Sequence, residues 1–427
     1  MEKYVIEGGH PLSGSVTISG NKNEALPAIA ACLLTDEPVT LCNVPRIGDV
    51  NSMLDIMREL GVEIEDLDKN DVRLCSRNLK GSELDSDKCR SLRAAILLAG
   101  PLITRHDHVS MPPPGGDVIG RRRLDTHFTA FESLGARVSE KDKKYIIEKK
   151  TLVGQDIFLE EQSVTATENV LMAAVLSKGE TVLRNAACEP HVAGLARMLV
   201  AMGAKIEGIG TNILHIKGVD KLSGTDHTIG PDYLETGGYI TLAAVTGSEM
   251  TIQNVNPHDL CVIKSTYRKL GVAYETRDNA VWVPSGQKLE IQPDFAGDVP
   301  KIDDGPWPAF PTDLMSIVIV GATQASGTVL IFEKMYDGRM FFVDYLVSMG
   351  ARIVLCDPHR VVVVGPSQLI GSQMQSPDIR AGMALIIAAL CAHGESSIYN
   401  IRQIDRGYEN LEGKLQGLGA KIRRVAE

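Results

Sequence analysis

No two of the eight cysteines stand as a Cys-x-x-Cys pair. That removes the zinc-knuckle and dithiol redox readings and leaves the thiols as small core residues of a reducing compartment. No apolar run approaches the ~20 residues that a membrane span needs. Met1 to Gly20 has neither the basic nor the apolar segment of a secretory signal. A cytoplasmic protein without membrane contact is expected. Basic excess is missing as well: the net charge is −10, so nucleic acid is not an expected partner. No strand–GxGxxG–helix arrangement is present, which excludes a dinucleotide fingerprint. His106-x-His108 is the one metal-like spacing, and it has no third ligand, so neither a metal nor a cofactor is expected. What remains is the composition of a globular chain, 44% hydrophobic and 23% charged, long enough for two or three domains.

The chain repeats. Six times a helix-like pattern ends in an apolar residue, a glycine and a small residue, at Gly61, Gly135, Gly203, Gly271, Gly350 and Gly419. Successive glycines are 74, 68, 68, 79 and 69 residues apart. Glycine is the usual helix C-cap because the left-handed conformation costs it little. Six caps at near-constant spacing mark a repeat of about 70 residues. Within the units lie short strands such as 38–43, 180–185, 250–254 and 397–400. Before them come helices rich in small apolar residues, at 25–34, 92–99, 171–176, 240–245, 315–322 and 381–392. Helices apolar nearly all round belong inside a core, and the capped, two-faced helices belong outside it. The pattern predicts an α/β chain of six units. Six units exceed one core, so two lobes of three are expected, with a ligand cleft between them.

Charged residues gather at loops and helix starts. Residues 111–127 read Met-Pro-Pro-Pro-Gly-Gly-Asp-Val-Ile-Gly-Arg-Arg-Arg-Leu-Asp-Thr-His. Three prolines stiffen this loop, and Gly115, Gly116 and Gly120 free it to act as a lid. Asp117 sits at its tip beside Arg122, a carboxylate and a cation placed for acid–base work on an anion. Lys22 and Asn23 open the first apolar helix, Arg93 the second, Asp313 the fifth, and Asp378 with Arg380 the sixth. Arg339 follows Tyr336-Asp337-Gly338, and Asp405-Arg406-Gly407-Tyr408 is expected to open the last outer helix. Cations repeated at helix starts suit phosphate and carboxylate ligands.

These residues carry a resemblance. Ser19-Gly20-Asn21-Lys22-Asn23, residues 114–120, Ser163-Val164-Thr165-Ala166-Thr167-Glu168-Asn169, Phe310-Pro311-Thr312-Asp313 and Asp405-Arg406-Gly407-Tyr408-Glu409 together resemble the enolpyruvyl transferase family, over essentially the whole length. The nearest likeness is to its members acting on UDP-N-acetylglucosamine. The resemblance implies a two-lobed inside-out α/β barrel of six βαβαββ repeats. It places the lobes at 23–230, with the catalytic loop 111–122, and at 1–22 plus 231–427. It implies transfer of the enolpyruvyl group of phosphoenolpyruvate to the sugar 3-hydroxyl, with release of phosphate, at the first committed step of peptidoglycan precursor synthesis. Neither a cofactor nor an obligate protein partner is implied. Lys22, Asn23, Arg122, Arg339, Arg380 and Arg406 match positions that hold phosphoenolpyruvate. Asn23, Arg93, Arg122, Arg123, Leu124, Asp125, Thr126, Ser163, Val164, Asp313 and Met335 match positions that hold the nucleotide sugar. Asp313 is the implied base, Asp378 a second catalytic carboxylate, and Asp117 the proton donor, alongside Lys22 and Arg406. The alternatives are another acceptor, such as shikimate 3-phosphate or a different nucleotide, and a non-catalytic anion-binding repeat protein.

Four positions depart from the family pattern: Arg123 for a frequent proline, Glu161 near a frequent lysine, Thr165 for glycine and Tyr233 for arginine. Arg123 restores the charge that Glu161 removes. Most members also carry cysteine where this chain has Asp117, and fosfomycin alkylates that thiol. A carboxylate is a far poorer nucleophile toward the epoxide, so resistance is expected, with an activity optimum displaced toward acid.

Overall fold

The computed structural model describes residues 2–84, 87–116 and 119–426. By contacts the chain divides into two compact units. One comprises Met1–Ser19, Asp117–Arg121 and Pro231–Glu427; the other comprises Gly20–Gly116 and Arg122–Gly230. Each encloses its own hydrophobic core. Among the described residues there are six sheets, five of four strands and one of three. The third repeat shows the shared plan. Strand Asp156–Phe158 leads through helix Val164–Ala174 to a parallel partner, Glu180–Arg184. Helix Pro190–Ala201 follows, and strands Lys205–Glu207 and Ile213–Lys217 complete the sheet antiparallel. This is an α/β fold assembled from βαβαββ units.

The division between inner and outer helices follows the side chains. Helix Ile379–Cys391 is buried from Ile379 through Leu390 without a break, as an element apolar on every side requires. Helix Gly48–Glu59 instead buries Val50, Met53, Leu54 and Met57 while Asn51 and Arg58 face solvent. All six capping glycines adopt positive φ, between 74° and 106°, which is the left-handed stop that the repeat predicted.

The short strands end one residue earlier than the sequence pattern suggested. Strands Val39–Cys42, Glu180–Arg184, Glu249–Gln253 and Gly394–Tyr399 each stop before an asparagine. Asn43, Asn185, Asn254 and Asn400 are left-handed, with φ of 58°, 56°, 57° and 55°. Each amide donates to a backbone carbonyl, of Ile229, Leu159, Ile18 and Ser376 respectively, at 2.8 to 2.9 Å. Asparagine tolerates this conformation because its short polar side chain bonds locally. In the other two repeats the strands His108–Met111 and Gly327–Phe332 run instead into Pro112 and Glu333.

Two strand exchanges set the start of the first apolar helix. Ser13–Thr17 pairs parallel with Glu249–Gln253, and Asp226–Thr228 pairs parallel with Val39–Cys42. The Asn21 N–H then bonds Gly230 O at 2.7 Å. Gly20 has to be glycine here, since a Cβ would lie 1.9 Å from Asn43 O.

Candidate active site

In the unit Gly20–Gly116 plus Arg122–Gly230, Asn21 caps helix Lys22–Ala31 by accepting from the Asn23 and Glu24 N–H groups at 2.8 and 3.2 Å. Lys22 opens the helix, and its Nζ lies 3.4 Å from Asp49 Oδ2. Arg93 begins the 3₁₀ turn Arg93–Leu98. Its Nη2 donates to the carbonyls of Arg122 and Arg123 at 2.8 and 3.1 Å, which fixes the backbone of that segment. Gly116, at φ 114°, passes so close to Arg93 that a Cβ there would lie 2.8 Å from the Arg93 Cβ. Arg123 forks onto Asp125 at 2.6 and 2.8 Å. Leu124, which is buried, precedes helix Asp125–Ser133, in whose first turn Thr126 is half-buried. Ser163 caps helix Val164–Ala174 through the Ala166 N–H at 3.3 Å.

A buried amide chain joins two of these segments. Asn169 Oδ1 accepts from the Gly100 N–H at 2.8 Å, so its Nδ2 faces Ile96 O and His127 Nδ1, each at 2.9 Å. His127 Nδ1 must therefore accept, and its Nε2–H donates to Thr165 Oγ1 at 3.1 Å. Burial, then Arg93, push the imidazole down to about 3, so it is neutral. Thr165, in place of the family glycine, is thereby locked to the segment after Arg122.

The unit containing Pro231–Glu427 holds a denser cluster. Asp313 lies in the turn Thr312–Leu314, just before helix Met315–Gln324. Arg339 Nη2 reaches Asp313 Oδ1 at 2.5 Å, and Arg380 Nε reaches Oδ2 at 3.0 Å. Asp378 caps helix Ile379–Cys391 through the Arg380 and Ala381 N–H groups at 2.8 and 3.0 Å, and Arg339 Nη1 stands 3.9 Å from its Oδ1. Arg380 also faces the Tyr408 ring, 5.6 Å from its centroid. Arg339 and Arg380 are buried, yet Arg339 Nε and Arg380 Nη2 have no hydrogen-bond acceptor among the described residues. Two buried cationic donors without acceptors are expensive unless an anionic ligand takes them. Met335 is partly exposed, four residues before Arg339.

Several expectations need correction. Asp405-Arg406 does not open the last outer helix. It closes the short helix Arg402–Asp405, where Arg406 Nη1 bonds Gln403 Oε1 at 2.6 Å. The last helix, Leu411–Gly417, begins after the left-handed Asn410. Gly407 is there for packing, since a Cβ would lie 2.4 Å from Ile379. Arg339 starts the 3₁₀ turn Arg339–Phe342. His106 ends helix Ala99–Arg105, outside the strand that carries His108, and no group of three metal-binding side chains is found among the described residues. Asp117 lies outside the described residues. Sequence reasoning missed Asp49, Thr312 and Glu333; the one available signal was that Glu333 stands where four other repeats place asparagine.

The family model for EPSP synthase (3-phosphoshikimate 1-carboxyvinyltransferase) matches residues 6–415. The chain belongs to this family of enolpyruvyl transferases. A UDP-N-acetylglucosamine 1-carboxyvinyltransferase of Borreliella burgdorferi is 54% identical over 425 residues, covering 100% of this chain and 99% of the relative. One from Bradyrhizobium diazoefficiens is 55% identical over 425 residues, covering 100% and 98%. Among solved structures, the enolpyruvyl transferase NikO from Streptomyces tendae aligns over 100% of this chain and 99% of its own, with a TM-score of 0.89 at 21% identity. That likeness fixes the fold. No helix of the described residues is long and apolar enough to cross a membrane.

Proposed function

We propose that this chain transfers the enolpyruvyl group of phosphoenolpyruvate to the 3-hydroxyl of UDP-N-acetylglucosamine, releasing phosphate, in the cytoplasmic synthesis of peptidoglycan precursors. The observation that carries the reading is the pair of buried, acceptor-free guanidinium N–H groups of Arg339 and Arg380 beside the Asp313 carboxylate. It is joined by full-length identity of 54–55% to enzymes named for that acceptor. Each unit is taken as one lobe of three repeats. Asp313 is the base for the sugar hydroxyl. Arg339 and Arg380 hold its carboxylate at 2.5 and 3.0 Å. An incoming anionic substrate shares those arginines, which leaves the Asp313 carboxylate to face the hydroxyl.

The hydroxyl oxygen attacks C2 of phosphoenolpyruvate while Asp117 delivers a proton to C3, giving a tetrahedral intermediate. Loss of phosphate and of a C3 proton then yields the enolpyruvyl ether. Lys22, Asn23, Arg122, Arg339, Arg380 and Arg406 hold the phosphate and carboxylate of phosphoenolpyruvate, with Asp378 capping the helix that carries Arg380 and facing Arg339. Arg93, Arg122, Arg123, Leu124, Asp125, Thr126, Ser163, Val164 and Met335 bind the nucleotide sugar.

Phosphate release from phosphoenolpyruvate is the test, with UDP-N-acetylglucosamine, shikimate 3-phosphate and other nucleotide sugars offered as acceptors. Release with the first alone is expected; release only with another acceptor overturns the reading. Asp117 has its own test. The wild type should resist fosfomycin, Asp117→Cys should stay active and become time-dependently inhibited, and Asp117→Asn should be nearly inactive. The wild-type optimum should lie on the acid side of the Asp117→Cys optimum. Irreversible inactivation of the wild type, or full activity in the asparagine variant, removes Asp117 from the mechanism.

A further inference from the structure

The corner after strand Gly327–Phe332 breaks the rule that four other repeats keep. In those four, the residue whose carbonyl accepts the asparagine amide returns its own N–H to the last residue of the central strand. Ile229 N–H bonds Cys42 O, Leu159 N–H bonds Arg184 O, Ile18 N–H bonds Gln253 O and Ser376 N–H bonds Tyr399 O, at 3.0 to 3.1 Å. In the fifth repeat the same backbone bond runs from the Asp304 N–H to Phe332 O, at 3.4 Å. The places of the asparagine and of its acceptor are thus taken by Glu333 and Asp304. Both are buried, at 0% and 1% exposure. An amide donor has been replaced by two carboxyls in a dry corner, which costs stability unless they are bonded.

The exchange turns the corner from a donor into an acceptor. Glu333 Oε1 accepts from the Met335 and Tyr336 N–H groups at 3.1 and 3.0 Å. Thr312 Oγ1 lies 3.0 and 2.9 Å from its two oxygens. Asp304 Oδ1 accepts from the Lys334 N–H at 2.6 Å. The Glu333 main chain is tied to His359, its N–H to the His359 carbonyl and its own carbonyl to the ring, both at 2.8 Å. One carboxyl therefore joins two pieces of backbone. The first carries Thr312 and, next to it, Asp313. The second carries Met335 and runs on to Arg339, whose guanidinium holds Asp313. Burial, then the Asp304 carboxyl, push Glu333 up to about 8, so at neutral pH it is chiefly the uncharged acid, for which glutamine is a close match.

We propose that Glu333, backed by Asp304, is a positioning residue that fixes the base Asp313 against the segment 335–339. This rests on the reading of Asp313 as base. Steady-state kinetics on the full chain test it. Glu333→Ala should lower kcat about 10- to 100-fold, as a displaced catalytic group does, and raise KM for UDP-N-acetylglucosamine. Glu333→Gln should restore wild-type kcat and KM. Asn254→Ala breaks the same corner in another repeat and should lower Tm while leaving kcat unchanged. Wild-type kcat in Glu333→Ala, equal impairment in Glu333→Gln, or an equal kcat loss in Asn254→Ala overturns the proposal. Should Glu333→Ala not fold, Thr312→Val decides: its kcat should fall about tenfold at unchanged KM for phosphoenolpyruvate, and an unchanged kcat overturns the proposal. A wild type that releases no phosphate with UDP-N-acetylglucosamine refutes the enzyme reading itself, before any variant is compared.

Discussion

The two units hold their cations in different surroundings. Lys22, Arg93 and Arg122 are half-buried. Lys22 lies 3.4 Å from the Asp49 carboxylate, and Arg93 donates to two backbone carbonyls. Arg339 and Arg380 are 7% and 3% exposed and close directly on Asp313. A charge near water interacts weakly and is screened, whereas a buried one acts at full strength and cannot lose its partner cheaply. The first set suits substrate anions, nucleotide and phosphate, that arrive carrying their own charges and need to be oriented. The second suits bond making, where fixed charges must already face the developing transition state.

The largest effects are expected where that contrast is sharpest. Asp313→Ala leaves two buried guanidinium groups without their carboxylate and should cost about 3–5 kcal/mol of stability, read by denaturant unfolding. Asp313→Asn keeps the volume and should still lower turnover by about a thousandfold or more, since it removes the proposed base. An asparagine variant near wild-type rates would move the base elsewhere. Next come Lys22→Ala and Arg406→Ala. On the proposed reading each removes one charge-assisted contact to phosphate, worth ~2–4 kcal/mol in the transition state, or roughly 30- to 1,000-fold in turnover, with folding intact. Near wild-type turnover in either would show that the phosphate binds without it.

The same contrast explains what the sequence disclosed. The repeat was legible because glycine at a helix stop and all-round apolar helices are local signals: Gly61 and helix Ile379–Cys391 need no tertiary context to be read. Lys22, Asp313 and Asp378 were legible because each lies at or beside a helix start. Arg406 was misplaced because Asp-Arg-Gly-Tyr has the chemistry of a helix start, while Gly407 is actually demanded by Ile379, 28 residues away. Glu333 showed only as a break in the asparagine pattern, and Asp304 not at all. Acidic residues are read as solvated by default, and only the backbone bond from Asp304 to Phe332 reveals that they occupy the corner where other repeats keep an amide and its acceptor.

The smallest expected effect belongs to Arg123, the exposed counterpart of Arg339. Asp125, then Glu160 and Glu161, hold its guanidinium above the ordinary range. Glu160 and Glu161 therefore lie within its field, and both would repel a diphosphate that Arg123 attracts. Arg123→Ala should raise KM for UDP-N-acetylglucosamine only about two- to fivefold, because an exposed pair is weak, and should leave kcat alone. The effect should shrink as salt rises past ~0.1 M, where screening acts over about 10 Å. Glu161→Gln added to Arg123→Ala should recover part of the loss, since it removes the repulsion that Arg123 offsets. An unchanged KM at low ionic strength would mean that neither side chain senses the nucleotide. A large effect, insensitive to salt, would place Arg123 in a closed, water-free contact and erase its difference from the buried Arg339 and Arg380.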